Sequence, residues 1–127
     1  MNNKLTAEEL HKIIERRSTG KTSFTMFLKE LSEIGIVQYD IDVATAQATY
    51  KGEYSEIITN PQVDFVISNH FNKEQALPAI NNITLPFLDF IRELANAGIT
   101  SYNVNIPDKS AIYLGMNGEK IEEKLQL

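Results

Sequence analysis

The chain has 127 residues and a net charge of −5, which suits one domain or two small units that share a core. It contains no cysteine, so disulfides, thiol chemistry and cysteine-ligated zinc are excluded. No stretch is basic enough to favour nucleic acid, and no apolar run approaches the roughly 20 residues that span a bilayer. Because the amino terminus also lacks the apolar core of a signal peptide, we expect a cytoplasmic protein with no membrane partner.

Two helices are predicted in the first third of the chain. A capping-box pattern begins at Thr6, and the apolar residues after it have helical spacing. Arg16 and Arg17 come at the end of this helix, where a cation meets the negative end of the helix dipole. A second apolar stripe begins at Phe24 and stops before Gly35, because glycine is the residue that most readily ends a helix.

Strands follow these helices. Val37, Tyr39, Ile41 and Val43 alternate with polar residues, which predicts a half-buried strand. Turn signals separate it from a second strand that contains Tyr50 and from a short third strand. The first half is therefore predicted to be two helices followed by three strands.

The same pattern returns later in the chain. Residues 24–58 recur as residues 87–121, at an offset of 63 and without a gap. Twelve residue pairs are identical, and they extend over the helix, the glycine stop and the strands. This regularity predicts an internal duplication.

The predicted fold is α+β: a helix-helix-strand-strand-strand unit used twice, with a mainly antiparallel sheet, helices packed on it and a pseudo-twofold axis. We expect a single domain over residues 1–127, with repeats at about 5–62 and about 70–123. The apolar, alternating segment at about 63–68 is predicted to be a strand that connects them.

Two motifs accompany this arrangement. One is a glycine and an apolar residue before a tyrosine-bearing strand, and the other is a helix start after a strand; they are Gly35-Ile36-Val37-Gln38-Tyr39, Gly98-Ile99-Thr100-Ser101-Tyr102 and Asn72-Lys73-Glu74-Gln75. Together they resemble a family of small uncharacterised bacterial proteins, catalogued as a domain of unknown function and sometimes labelled phage envelope protein. The resemblance covers nearly the whole chain and implies no activity, cofactor or site residue.

Tyr39, Tyr50, Tyr102 and Tyr113 form two pairs related by the offset. A tyrosine has a large apolar body and one hydroxyl that needs a partner. The four could line a ligand-binding cleft between the repeats, or they could be core residues with their hydroxyls at its edge.

A second candidate site is polar and asymmetric. Asp40 and Asp42 share one face of a strand, and two carboxylates suit acid–base chemistry or a cation. Their counterparts Asn103 and Asn105 cannot ionise, so such a site would combine the aspartates with His70 opposite the two asparagines. The alternatives are a solvated strand face and a solvated loop histidine. No histidine spacing predicts a metal site.

The repeats differ at Ile112 and Leu114, which stand where the first copy has polar residues. An apolar strand face needs cover, which the other repeat, the carboxyl-terminal Leu125 and Leu127, or a second protomer would provide. The last of these would be a homodimer.

Three functions fit these observations. The leading hypothesis is a non-enzymatic module that binds a small molecule or a protein partner at the cleft between the repeats, without a cofactor. The second is an enzyme that uses the asymmetric aspartate and histidine site. The third is a structural protein that forms homo-oligomers through Ile112 and Leu114.

Overall fold

The computed structural model describes residues 7–82 and 84–125. Within these ranges the helices are α1 (Ala7–Ser18), α2 (Phe24–Glu33), α3 (Lys73–Ile80) and α4 (Phe87–Asn96). Thr6, where the predicted capping box begins, lies outside the described residues. Ser23 caps α2, because its hydroxyl accepts a hydrogen bond from the Met26 amide at 3.2 Å.

The strands form one sheet in the order β3-β2-β1-β4-β5-β6, and all neighbouring pairs are antiparallel. Their bounds are β1 (Ile36–Asp42), β2 (Gln47–Gly52), β3 (Glu56–Ile58), β4 (Ile99–Asn105), β5 (Ser110–Gly115) and β6 (Lys120–Lys124). The predicted α+β class with an antiparallel sheet is confirmed.

The two halves of the sheet join at β1 and β4. Asp40 lies opposite Asn103 in this ladder, and Ile41 lies opposite Tyr102. Because β1 and β4 are the central strands, each half continues the sheet of the other, and neither presents an unpaired edge at the junction.

The halves correspond closely in geometry. The bounds of α2, β1 and β2 recur in α4, β4 and β5 at the offset of 63. The strand registers correspond as well, because Tyr39 pairs with Tyr50 and Tyr102 pairs with Tyr113. The duplication itself stays a prediction, since matching geometry does not establish common ancestry.

The helices cover one face of the sheet. Leu28 and Leu31 of α2 and Ile91 and Leu94 of α4 are fully buried against the inward-pointing residues of the strands. The opposite face carries the polar residues of β1 and β4. The sheet is therefore half-buried throughout, as the alternation in the sequence predicts.

The prediction of a connecting strand at about 63–68 is wrong. Residues 63–68 form no strand. The Val63 and Phe65 amides donate to the turn between β1 and β2, Phe65 to the Ala44 carbonyl at 2.8 Å, and the Ser68 amide donates to the end of α4. The alternation that predicted a strand is present, since Val63, Phe65 and Ile67 pack against the core. Any extended segment that lies on a protein surface has this period, whether or not it joins a sheet.

Gly98 and Gly20 provide a matched test of close packing behind α4. Both have a positive φ, +82° and +79°, but only a Cβ on Gly98 would meet a neighbour, the His70 carbonyl oxygen at 2.6 Å. Alanine strains the backbone by roughly 1–2 kcal/mol at either position. Gly98→Ala should lower the free energy of unfolding by at least about 1 kcal/mol more than Gly20→Ala, measured by urea denaturation. Equal losses would contradict the close approach.

Candidate functional site

Four tyrosines form one aromatic cluster on the inner face of the sheet. The ring centroids of Tyr39 and Tyr102, on the two central strands, lie 6.4 Å apart. Each ring also packs on the tyrosine of the next strand, Tyr39 on Tyr50 at 5.2 Å and Tyr102 on Tyr113 at 5.1 Å. A phenylalanine from α2 and another from α4 contact this row edge-on, a favourable geometry for aromatic pairs.

The cluster lies in the core and does not line an open cleft. Each of the four side chains is at most 4% exposed. The reason is that the β1–β4 ladder closes the sheet between the halves, while the helices cover the rings from above. Of the two alternatives for these tyrosines, core placement is the one found.

The hydroxyls of the cluster are in a poorly hydrated environment. Burial raises the pKa of all four tyrosines above the ordinary value, because a buried phenolate would lose its hydration. Tyr113 donates a hydrogen bond to Glu123 Oε1 at 3.3 Å. Burial also raises the pKa of Glu123, and this hydrogen bond opposes the increase.

Arg17 lies beside the cluster with its guanidinium buried. The residue is 5% exposed, and its Nη1 atom has no hydrogen-bond partner in the described part of the chain. Burial lowers the pKa of the guanidinium, and the neighbouring Tyr39 and Tyr102 oppose this effect. Sequence reasoning noted only a helix end here. A sharper signal was present, because Arg17 falls on the apolar stripe that Leu10 and Ile13 begin.

The predicted polar site is only partly assembled. The Asn103 side-chain amide donates to Asp40 at 2.8 Å and to the side-chain oxygen of Gln38 at 3.2 Å. Lys51 forms an ion pair with Asp40 at 3.1 Å. Lys51 neutralises the charge of Asp40 on the solvent face of the sheet, where ion pairs contribute little to stability.

The other members of that site lie apart from this network. Asp42 accepts a hydrogen bond from the Thr45 hydroxyl at 2.6 Å, and the Asn105 side chain accepts one from the Asp108 amide at 3.0 Å, so both order turns. His70 is exposed, and its imidazole contacts neither aspartate through a hydrogen bond or ion pair among the described residues. Over the same residues, no three metal-binding side chains converge. Asp42, Asn105 and His70 therefore take no part in the hydrogen-bond network around Asp40 in the described part of the chain.

Ile112 and Leu114 lie on the outer face of the sheet, paired with Glu122 and Lys120 of β6. Leu114 is 40% exposed, and Ile112 is half-buried. The other repeat does not bury Leu114, and Leu127 lies outside the described residues. A second protomer stays an untested source of cover.

A groove of about 770 Å³ runs along α2. One side is α2, the base is the start of β1, and the other side is the turn between β4 and β5, so both halves of the chain contribute. Its lining includes Met26, Lys29, Ser32, Val37, Pro107 and Lys109. We call it the α2 groove. Met26 is 45% exposed, and the Pro107 carbonyl accepts no hydrogen bond from the described residues. No pattern in the sequence predicted this groove.

These features define an α+β protein with a filled aromatic centre and an open groove at the boundary of its halves. A family model described as Protein of unknown function (DUF1398) matches residues 11–123. The chain therefore belongs to this family. No curated protein matches it. No helix in residues 7–82 and 84–125 is both long and apolar enough to cross a membrane.

The buried tyrosines predict how stability depends on alkaline pH. Above the ordinary tyrosine pKa of about 10, the unfolded chain releases phenolic protons that the folded protein retains. The contribution of these groups is thus complete below about pH 10 and is lost as pH rises further. Tyrosinate absorbance from the cluster should appear in one step, together with the loss of far-UV circular dichroism.

Tyr54 supplies the control for this titration, because its side chain is 92% exposed and lies outside the cluster. Tyr54→Phe should leave the amplitude of the unfolding step unchanged. Ionisation of several tyrosines while the circular dichroism is still native would show that the cluster is open to solvent.

Proposed function

We propose that the protein is a non-enzymatic binding module that holds an extended peptide segment of a partner protein in the α2 groove. The observation that carries this proposal is that the second half of the chain fills the corresponding groove with its own connecting segment, residues 62–68. The chain therefore contains an internal example of the proposed complex.

The connecting segment contacts α4 and the turn between β1 and β2. The Phe65 amide donates to the Ala44 carbonyl at 2.8 Å, and the Ser68 amide donates to the Ala95 carbonyl at 2.9 Å. The Arg92 guanidinium lies 5.3 Å from the centroid of the Phe65 ring, within the range of a cation–π interaction. Backbone hydrogen bonds at both ends and an aromatic anchor in the middle hold the segment extended.

Each of these contact positions has a counterpart in the α2 groove. At the offset of 63, Ala44, Arg92 and Ala95 correspond to Pro107, Lys29 and Ser32. The counterparts preserve a carbonyl acceptor on the turn, a cation on the helix and a carbonyl acceptor near the helix end. The α2 groove thus offers the same recognition elements, and at its turn the Leu125 amide donates to the Lys109 carbonyl at 2.8 Å.

This correspondence defines the chemistry of the partner. Val63, Phe65 and Ile67 point inwards, while Asp64 and Val66 are exposed. The proposed ligand is therefore an extended peptide with apolar residues at alternate positions and an aromatic residue at the centre, which would lie near Lys29. Main-chain hydrogen bonds supply affinity in this mode of recognition, and alternate side chains supply specificity.

The connecting segment itself is the natural probe. A fluorophore-labelled peptide with the sequence of residues 61–69 should bind the intact protein saturably, with a dissociation constant on the order of 10 μM to 1 mM. In NMR spectra of the labelled protein, the amides of Lys29, Ser32 and Lys109 should shift on titration. The same peptide with aspartate at the Phe65 position should not bind. No saturable binding at millimolar peptide would contradict the correspondence of the two grooves.

Two methionines allow a matched pair of protein variants. Met26 lines the α2 groove and is 45% exposed, whereas Met116 is 54% exposed and lies outside it. A lysine at the groove position would place a hydrated charge where an apolar side chain should bind. Met26→Lys should weaken peptide binding at least about tenfold, and Met116→Lys should change it less than about twofold. Equal effects would exclude the α2 groove as the binding site.

A second candidate is a homo-oligomer formed through the outer sheet face, which the 40% exposure of Leu114 favours. If this face is an interface, light scattering should report a dimer for the native protein and a monomer for Leu114→Lys. A native monomer at high micromolar concentration would rule out this assembly, with no consequence for the α2 groove.

We also propose a cytoplasmic location, because the chain is acidic and free of cysteine. The resemblance suggests a bacterial and phage-related origin, on which the peptide-binding proposal does not depend.

A further inference from the structure

The sheet has two free edges, β3 and β6, and the two halves of the chain end them differently. At one edge β3 stops at Ile58, before Pro61. At the other edge β6 continues to Lys124, which is the counterpart of Pro61 at the offset of 63. Proline has no amide hydrogen to give to a ladder, so it limits the first edge. The second half keeps the longer pairing surface.

The outer edge of β6 presents the backbone groups of Lys120, Glu122 and Lys124. Residues of an antiparallel edge strand bond to their neighbour alternately. The Gly115 amide donates to the Glu119 carbonyl at 2.8 Å, so the odd-numbered residues of β6 are the ones that bond to β5. The amides and carbonyls of the even-numbered residues point away from the sheet, and no other backbone group of the described chain bonds to them. Such an edge can accept another strand.

The side chains at these three positions alternate in charge on one face. Lys120, Glu122 and Lys124 are exposed, and the first two form an ion pair at 2.9 Å. A second β6 that runs antiparallel places Glu122 opposite Lys124 when residue 123 lies on the twofold axis. A pairing centred on Glu122 would instead place Lys120 opposite Lys124, and like charges directly opposite are destabilising. The charges therefore allow β6 to pair with itself and exclude this second register.

The inner face of β6 separates the two registers that pair opposite charges. A register centred on Ile121 places Glu119 opposite Glu123 at two symmetric contacts. The register centred on Glu123 has one contact between like charges, that of Glu123 with itself, and it aligns the buried side chains of Ile121 and Leu125. Since repulsion across strands weakens pairing, the register centred on Glu123 is favoured.

We propose that β6 pairs antiparallel with β6 of a second copy of this chain, with the twofold axis at Glu123. The amides of Glu122 and Lys124 then donate to the carbonyls of Lys124 and Glu122 of the second copy, and the two sheets become one. The interface is isologous, so the assembly closes at a dimer. Because the contact is small, its dissociation constant should be on the order of 100 μM. No residue of β6 lines the α2 groove, so peptide binding does not depend on this contact.

Charge exchange along β6 tests this proposal. Light scattering from about 10 μM to about 1 mM protein should report a monomer–dimer equilibrium. Glu122→Lys places a lysine opposite Lys124 at both symmetric contacts and should weaken the dimer at least about tenfold. The double variant Glu122→Lys, Lys124→Glu restores opposite charges and should recover the native dissociation constant to within about threefold. A monomer throughout, or a double variant as weak as the single one, would overturn the proposal.

Two control variants separate this edge from other surfaces. Lys120→Glu breaks the ion pair with Glu122 but lies outside the pairing of Glu122 with Lys124, so the dissociation constant should change less than about twofold. Leu114→Lys alters the outer sheet face and should also leave the dimer unchanged. Loss of the dimer in Leu114→Lys, with Glu122→Lys still dimeric, would contradict edge pairing and assign the assembly to the outer face.

Amide hydrogen exchange tests the same contact in the native protein, without any variant. Between about 50 μM and about 1 mM protein, exchange at the Glu122 and Lys124 amides should slow roughly threefold, because these amides gain partners only in the dimer. The Ile121 and Glu123 amides already bond to β5 and should change less. Exchange at the Glu122 and Lys124 amides that is independent of protein concentration would contradict the proposed pairing.

Discussion

The antiparallel ladder between β1 and β4 makes one sheet from two three-stranded halves. A three-stranded sheet with two short helices has too little apolar surface to maintain a core of its own. Pairing β1 with β4 sets Tyr39 beside Tyr102, so the aromatic rows of the two halves become one cluster. The helices of both halves then pack on a single apolar surface, and the fold depends on this junction.

The same junction determines where a ligand can be held. Aromatic rings fill the centre of the molecule, where a cavity lined by Arg17 and Tyr50 has a volume of about 10 Å³. Larger space is left at the periphery, where α2 of the first half faces the β4–β5 turn of the second. The proposed site is therefore peripheral, where the available space suits a chain segment.

The period of the sequence predicted the helices and strands well, because side-chain spacing reports which way each residue points. Spacing does not report what covers a residue. The face of the sheet to which Tyr39 points was therefore predictable, but the burial of its side chain was not. For the same reason, residues 63–68 had the period of a strand but bond to turns and helix ends. Arg17 was missed because its residue type favours the surface, whereas its position on the apolar stripe of α1 correctly indicates the core.

The two grooves have nearly the same backbone geometry but differ in whether a segment of the chain lies in them. The connecting segment, residues 62–68, lies in one groove, and the α2 groove is open among the described residues. The side chains follow this difference: Ala46 is fully buried beside the filled groove, whereas its counterpart Lys109 is exposed and lines the α2 groove. A permanently covered surface tolerates small apolar residues, while an open one needs charged residues to stay compatible with water. The α2 groove thus combines a backbone geometry like that around the connecting segment with a water-compatible rim, as the proposed reversible binding of a peptide requires.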